Sequence, residues 1–281
     1  MEVVSTIGEL RTAVAQARRA NKSIGLTPTM GALHRGHLSL VDASWAECDF
    51  TVATIFVNPT QFGAHEDLAK YPRPLEDDLA KLREHNVDLV FTPSESEMYD
   101  PEHGTLVDVG PIALRLEGAF RPTHFRGVAT IVLKLFNLIP ADRGYFGQKD
   151  YQQTLLIKRM VADLNVPIEI RVCPTVRDAD GLALSSRNAF LSPDQRRQAL
   201  AISRSLREAK ALVAEGERNS ENILMKMRAI LGDAGVTEID YVALTDPTTL
   251  ENSPILAGPT LAAIAVRVGA TRLIDNELIL V

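Results

Sequence analysis

Over the first 172 residues, short apolar runs alternate with helical spacings. Extended runs are read at residues 23–27, 50–57, 87–91, 144–146 and 168–172. Between them, apolar side chains recur every three or four positions: Leu38, Val41, Trp45 and Cys48, then Leu75, Leu79 and Leu82, then Phe125, Val128, Ala129, Val132 and Phe136. A further helix is read over 150–164. Strands alternating with helices in this way predict βαβ units and a parallel sheet. In this reading Pro28 ends the first of these strands, because it lacks a ladder N–H and biases Thr27 away from helical angles. The stretch 1–20 carries an amphipathic helix, and the polar stretch 92–105 predicts a flexible loop.

After Asn188 the pattern changes. Ser192, Pro193 and Gln195 compose a capping box with proline in the first helical position, opening a long helix to about residue 215. A second helix over 221–231 precedes extended runs at 238–244, 261–268 and 271–279, which predict a small antiparallel sheet. The expected fold class is therefore α/β, a Rossmann-like doubly wound parallel sheet over residues 1–176 with a smaller C-terminal α+β domain over 177–281. No internal repeat or low-complexity tract breaks this organisation.

Charge narrows the partners. The 281 residues carry a formal charge of −6, from 36 acidic and 30 basic residues that are interspersed. That excludes a large basic patch and with it the usual nucleic-acid or anionic-membrane footprint, so the expected partners are small molecules, with no nucleic acid and no membrane. No apolar stretch reaches the ~18–20 residues that cross a bilayer. The two cysteines, Cys48 and Cys173, do not form a disulfide framework and fit a reducing cytoplasm. The N-terminus, with Glu2 and Glu9, lacks the pattern of a secretory leader, so a cytoplasmic location is expected.

The chemistry concentrates where the first strand gives way to a helix. Residues 28–37 read PTMGALHRGH. Gly31 and Gly36 allow close backbone approach, and the first amides of a helix are expected as unpaired donors at the positive end of its dipole, which suits an anion. His34 and His37, three apart, project from the same side of the first turn, and each can donate an N–H to a phosphate oxygen. A lone histidine at a helix start is usually a solvated residue; here glycines, strand context and paired histidines coincide.

This string resembles the HxGH signature of the adenylate-forming nucleotidyltransferase superfamily, in the form carried by the pantothenate synthetase (pantoate–β-alanine ligase) family. Further segments agree in family order across nearly the full chain: FVNPTQFG at 56–63, RPTHFRGV at 121–128, YFGQKDYQQ at 145–153 and LALSSRN at 182–188. The resemblance implies ATP binding by Met30, Gly31, Ala32, Leu33, His34, Arg35, Gly36 and His37, with His37 the principal catalytic donor and His34 and Lys149 beside it. GQKD is similar to the family's GxKD, which implies ATP binding by Gly147, Gln148, Lys149 and Asp150. By itself that string more readily describes a helix N-terminal aspartate with a solvated lysine; the resemblance reverses that reading. LALSSRN resembles a mobile loop that closes over the triphosphate, implying roles for Leu184, Ser185, Ser186 and Arg187, with the backbone of Val176 meeting adenine. Leu184 stands where the family usually has methionine, a swap that roughly conserves volume.

Carried over in the same way, Gln61 contacts pantoate and β-alanine, and Gln153 contacts pantoate. Arg121 and His124 are candidates for the rim. Asp77 and Asp78 are candidates for placing the Mg²⁺ that accompanies ATP, although paired acids on an amphipathic helix are more often a solvated face. The resemblance further implies a homodimer.

The implied chemistry follows from a difficulty: a carboxylate is a poor electrophile, and an amine does not displace hydroxide from it readily. The implied solution has two steps. The carboxylate of (R)-pantoate attacks the α-phosphorus of ATP, giving pantoyl adenylate and pyrophosphate. β-Alanine then displaces AMP to yield pantothenate, the vitamin B5 precursor of coenzyme A. Two other readings use the same residues: a sister enzyme that moves AMP to a phosphorylated acceptor, and a non-catalytic nucleotide-binding module.

Overall fold

The computed structural model describes all residues except Ala64, His65 and Asp67. In chain order the regular elements begin with β1 (Glu2–Val4), α1 (Ile7–Arg19), β2 (Ile24–Thr29), α2 (Arg35–Glu47), β3 (Phe50–Ile55), α3 (Leu75–Glu84), β4 (Leu89–Phe91) and α4 (Glu95–Met98). They continue with α5 (Glu117–Phe120), α6 (His124–Leu138), β5 (Arg143–Gly147), α7 (Tyr151–Asp163) and β6 (Glu169–Cys173). The last are α8 (Pro193–Ala214), α9 (Ser220–Asp233), β7 (Glu238–Thr245), β8 (Thr260–Val268) and β9 (Thr271–Ile279). The chain divides into two compact units. One comprises Met1–Leu114, Arg121–Gln148 and Gln152–Pro174; the other comprises Arg115–Phe120, Lys149–Tyr151 and Thr175–Val281.

In the first unit, six parallel strands lie in the order β1-β4-β3-β2-β5-β6. Successive residues feed opposite faces, as the pleat requires. Val52, Leu89 and Phe91 join a core that includes Leu10 and Val14 of α1, Val132 and Phe136 of α6, and Ile157 and Met160 of α7. Ala53 and Val90 join a second core with Leu38 and Val41 of α2 and Leu79 and Leu82 of α3. Both faces are thus covered, the doubly wound arrangement expected of a parallel sheet. The direction of winding reverses between β2 and β5, so a topological switch point lies beside the carboxyl end of β2, where such folds place ligands.

Several local expectations are corrected. β2 does not stop before Pro28 but runs to Thr29 and pairs with β3 along its whole length. The Ile24 carbonyl accepts from the Asp142 amide before β5, and the Thr29 carbonyl accepts from the Phe56 amide after β3, so even-numbered residues of β2 face β5 and odd ones face β3. Pro28 therefore withholds its N–H only from the β5 side, where registered pairing has already ended at Leu26. Trp45, expected on the buried stripe of α2, is 57% exposed, and Leu40 and Ser44 are buried instead. The helix expected within residues 1–20 is present as α1, and a strand not foreseen, β1, precedes it. Within the stretch expected to be a flexible loop, Ser94 caps α4 and Met98 is buried.

In the second unit, β7, β8 and β9 form an antiparallel sheet. Ile264 and Val266 of β8 and Leu273 of β9 share a core with Leu206 and Val213 of α8 and Met227 and Leu231 of α9. The long helix starts as its sequence predicts. Ser192 accepts from the Gln195 amide, Gln195 accepts from the Ser192 amide, and Pro193 takes the first position.

Candidate active site

Two histidines build the start of α2. His34 is the N-cap, and its Nδ1 accepts from the Gly36 amide at 3.1 Å. Nδ1 of His37 accepts in turn from the His34 amide, at a longer 3.4 Å. The rings stack with centroids 4.1 Å apart and planes 27° apart. This is a capping box in which imidazoles replace the usual hydroxyl and carboxylate. A main-chain N–H can only donate, so each accepting Nδ1 carries no proton, and the neutral ring holds its proton on Nε2. The expectation of unpaired first-turn amides is therefore corrected: the amides of His34 and Gly36 are bonded to imidazoles, and the His37 amide donates to the His34 carbonyl.

The loop before His34 is held from α3. Gly31 and Ala32 both have left-handed backbone, with φ +80° and +50°, a conformation that costs a residue bearing a Cβ and persists only where its surroundings enforce it. The enforcing group is Asp78, 1% exposed, whose Oδ2 accepts from the Ala32 amide and Oδ1 from the Leu33 amide, each at 2.7 Å. One turn along, Lys81 donates to the Leu33 carbonyl at 2.8 Å. Leu33 itself is 4% exposed in the core, and Arg35 lies exposed on the first turn of the helix.

The expectation of Asp78 beside Asp77 as a Mg²⁺ carboxylate is corrected, because both Asp78 oxygens are committed to main-chain amides and Lys81 lies 3.8 Å away. Asp77 is exposed on the first turn of α3. Among the described residues no group of three or more His, Cys, Asp or Glu is arranged to hold a metal ion. Asp78, with both oxygens occupied, thus does not fit as a carboxylate ligand of Mg²⁺.

Gln61 is 9% exposed and ends the short turn Pro59–Gln61 after β3. Its Oε1 accepts from Asn58 Nδ2 at 3.1 Å, and its Nε2 lies 3.1 Å from the sulfur of Met30. Asn58, not among the residues singled out from the sequence, is the hub of this corner. Its Oδ1 accepts from the hydroxyls of Tyr99 at 2.8 Å and Thr60 at 2.9 Å, and its Nδ2 donates to the Gly127 carbonyl at 3.2 Å. Burial pushes the Tyr99 hydroxyl above its ordinary range, which keeps it a donor. Gly127 is required here, since a Cβ would lie 2.7 Å from the Gln61 amide nitrogen. Arg121 and His124 meet at the Gln61 carbonyl, at 3.4 and 2.9 Å, and Arg121 forms a two-pronged ion pair with Glu66. Burial opposes the Glu66 charge, yet the Arg121 fork holds its carboxyl below the usual range.

At the carboxyl end of β5, a Cβ on Gly147 would meet nothing within 4 Å, so protein packing does not demand glycine there. Gln148 follows, half-buried, and Gln153 lies half-buried in the first turn of α7. Its neighbour Gln152 is buried and donates to the Ile112 carbonyl at 2.8 Å.

In the second unit, Lys149 is one-fifth exposed, with its Nζ 3.9 Å from the Asp150 carboxylate. The Leu184 amide donates to the Val176 carbonyl at 3.0 Å, so two positions expected at the nucleotide are joined directly. Arg177 and Ala183 form a β-bridge inside that connection. Ser185 caps the short turn Ser186–Phe190, its Oγ accepting from the Arg187 amide at 3.3 Å, while Asn188 donates to the Ala183 carbonyl at 3.0 Å.

Known proteins carry the same architecture. The family described as Pantoate-beta-alanine ligase matches residues 2–278. A pantothenate synthetase of Roseiflexus sp. (strain RS-1) is 54% identical over 276 residues, covering 98% of each chain. The crystal structure of pantothenate synthetase from Thermus thermophilus superposes with a TM-score of 0.94 at 45% identity, over 99% of both chains. That of the Francisella tularensis pantoate-beta-alanine ligase, complexed with beta-gamma ATP and beta-alanine, superposes with a TM-score of 0.82 at 35% identity, over 99% of this chain and 97% of that one. On sequence and fold together, this chain belongs to the pantoate-beta-alanine ligase family.

Proposed function

We propose that this ligase activates (R)-pantoate as its adenylate and then transfers the pantoyl group to β-alanine, releasing pyrophosphate in the first step and AMP in the second. The observation that carries the reading is the histidine capping box, which commits both Nδ1 atoms to the helix and leaves each neutral ring with an Nε2–H. Two such donors in one turn suit the α-phosphate, whose non-bridging oxygens gain charge as the pantoate carboxylate attacks. His37 is assigned as the principal catalytic donor and His34 as its partner.

The other roles rest on the family resemblance together with local geometry. Gln61, oriented by Asn58, is assigned to pantoate and β-alanine, and Gln153 to pantoate. Gly147 allows the nucleotide close to the main chain. Lys149 supplies a point charge to phosphate, Asp150 an acceptor for ribose hydroxyls, and Ser185, Ser186 and Arg187 further donors. The backbone of Val176 is assigned to adenine. In place of the division expected at residue 176, the unit of Met1–Leu114, Arg121–Gln148 and Gln152–Pro174 is proposed to bind pantoate and ATP, and the unit that includes Lys149–Tyr151 and Thr175–Val281 to bring Lys149 and the phosphate-covering loop. Closure of that loop excludes water, which would otherwise hydrolyse the acyl adenylate. Mg²⁺ is proposed to arrive with ATP, held by its phosphates. A cytoplasmic homodimer completes the reading, its oligomeric state to be checked by sedimentation at working concentrations.

The deciding assay follows AMP and pyrophosphate with each substrate omitted in turn. ATP–pyrophosphate exchange that needs pantoate but not β-alanine supports the adenylate. Exchange that needs a phosphorylated acceptor favours the sister nucleotidyltransferase, and no AMP with all three substrates favours a binding module.

A further inference from the structure

The C-terminal strand β9 carries no motif assigned to catalysis, yet two adjacent residues in it grip both nucleotide segments of the second unit. Asp275, whose side chain is 3% exposed, forms a fork with Arg177, at 2.5 Å to Nη1 and 3.0 Å to Nη2. Arg177 Nη1 also donates to the Gly181 carbonyl at 3.3 Å, which closes the hairpin that delivers Leu184 and Ser185. The next residue, Asn276, is 4% exposed and donates from Nδ2 to the main-chain carbonyl of Lys149 at 2.8 Å. The Asn276 amide nitrogen in turn donates to Asp275 Oδ1 at 2.8 Å, so the two grips are one unit.

We propose that Asp275 and Asn276 are positioning residues for ATP, fixing the Lys149 main chain and the 176–184 hairpin to a single rigid strand. The proposal rests on the assignment of Lys149 and Ser185–Arg187 to the triphosphate. A bidentate ion pair on a buried carboxylate is an expensive choice for simple cohesion, since apolar residues of similar volume often stabilise as well. A strand that holds both segments at fixed positions is, by contrast, a good reference for groups that must converge on phosphate.

The test uses the full-length chain and measures Michaelis constants for ATP, pantoate and β-alanine, with thermal unfolding alongside. Asn276→Ala is expected to raise the ATP constant about 5- to 10-fold, the scale of one lost hydrogen bond, with pantoate and β-alanine within about 2-fold. In a Lys149→Ala background the same substitution is expected to add little, because the positioned group is gone. Arg177→Lys, which keeps a cation but loses the fork, is expected to raise the ATP constant alone and decides the matter if Asn276→Ala does not fold. A parallel change in all three constants, or a full additive effect on top of Lys149→Ala, overturns the proposal. If Lys149→Ala is damaging while Asn276→Ala and Arg177→Lys are silent, only the positioning role falls. If Lys149→Ala leaves the ATP constant and turnover unchanged, the site assignment beneath it falls as well.

Discussion

Asp78 Oδ2 sits 2.7 Å from the amide nitrogen of Ala32, a residue in left-handed backbone conformation two positions before the first signature histidine. With Oδ1 on the Leu33 amide, one buried carboxylate fixes the geometry from which α2 starts. Asp78→Asn puts an NH₂ where one of two amide donors needs an acceptor. The expected result is a loss of about 2 kcal/mol in urea unfolding with a fall in turnover, and an unaltered dependence of the residual rate on Mg²⁺. A shifted Mg²⁺ requirement would restore the metal role for this residue.

The paired histidines should separate into two kinds of damage. His37→Ala is expected to lower turnover by about 10²-fold or more, the scale of one lost transition-state donor. His34→Ala removes the N-cap as well, so about 1 kcal/mol of stability should go with the activity. Circular dichroism melts read the second effect and single-turnover adenylation reads the first. Equal turnover in a folded His37 variant refutes its assignment.

Gln61→Ala is expected to raise the constants for pantoate and β-alanine more than that for ATP. Gly127→Ala should imitate it from a distance, because the added methyl displaces the Pro59–Gln61 turn at a cost of about 1–3 kcal/mol. A change confined to the ATP constant in either variant would show that this corner serves the nucleotide.

Acid should reveal a turn far along the chain from the histidines. Asp246 accepts from the Thr248 hydroxyl at 2.6 Å and from the Thr248 and Thr249 amides at 2.8 Å, which together hold its carboxyl down to about 2. A carboxyl depressed in the fold adds stability above its unfolded value, and that contribution disappears as pH falls toward the folded one. Asp246→Asn keeps an acceptor but does not titrate. Its urea midpoint should therefore fall less steeply than that of the unmodified chain between about pH 4 and pH 2, and identical slopes would count against the assignment.

Periodicity and caps carried most of the architecture into view. Ser192, Pro193 and Gln195 announce α8, and Leu79 and Leu82 announce the buried face of α3, because those signals are local. Side-chain commitments across the chain were not legible. Asp78 reads as a metal carboxylate until the fold presents it with amides 45 and 46 residues away. Asn58 looks like a loop amide until Tyr99, Gly127 and Gln61 gather around it. Trp45 keeps the helical spacing of a core residue, yet it faces outward because α2 buries Leu40 and Ser44 instead.

Pro28 has one more effect. Pairing between β2 and β5 ends at Leu26, and the next donor that continuing it would require is the one Pro28 cannot offer. The two strands thus part company at the switch point for want of a single hydrogen, and the notch between their tips cannot zip shut. A ring closed on its own nitrogen keeps a doorway ajar at the carboxyl edge of the sheet, where the chain leaves β2 for the signature loop.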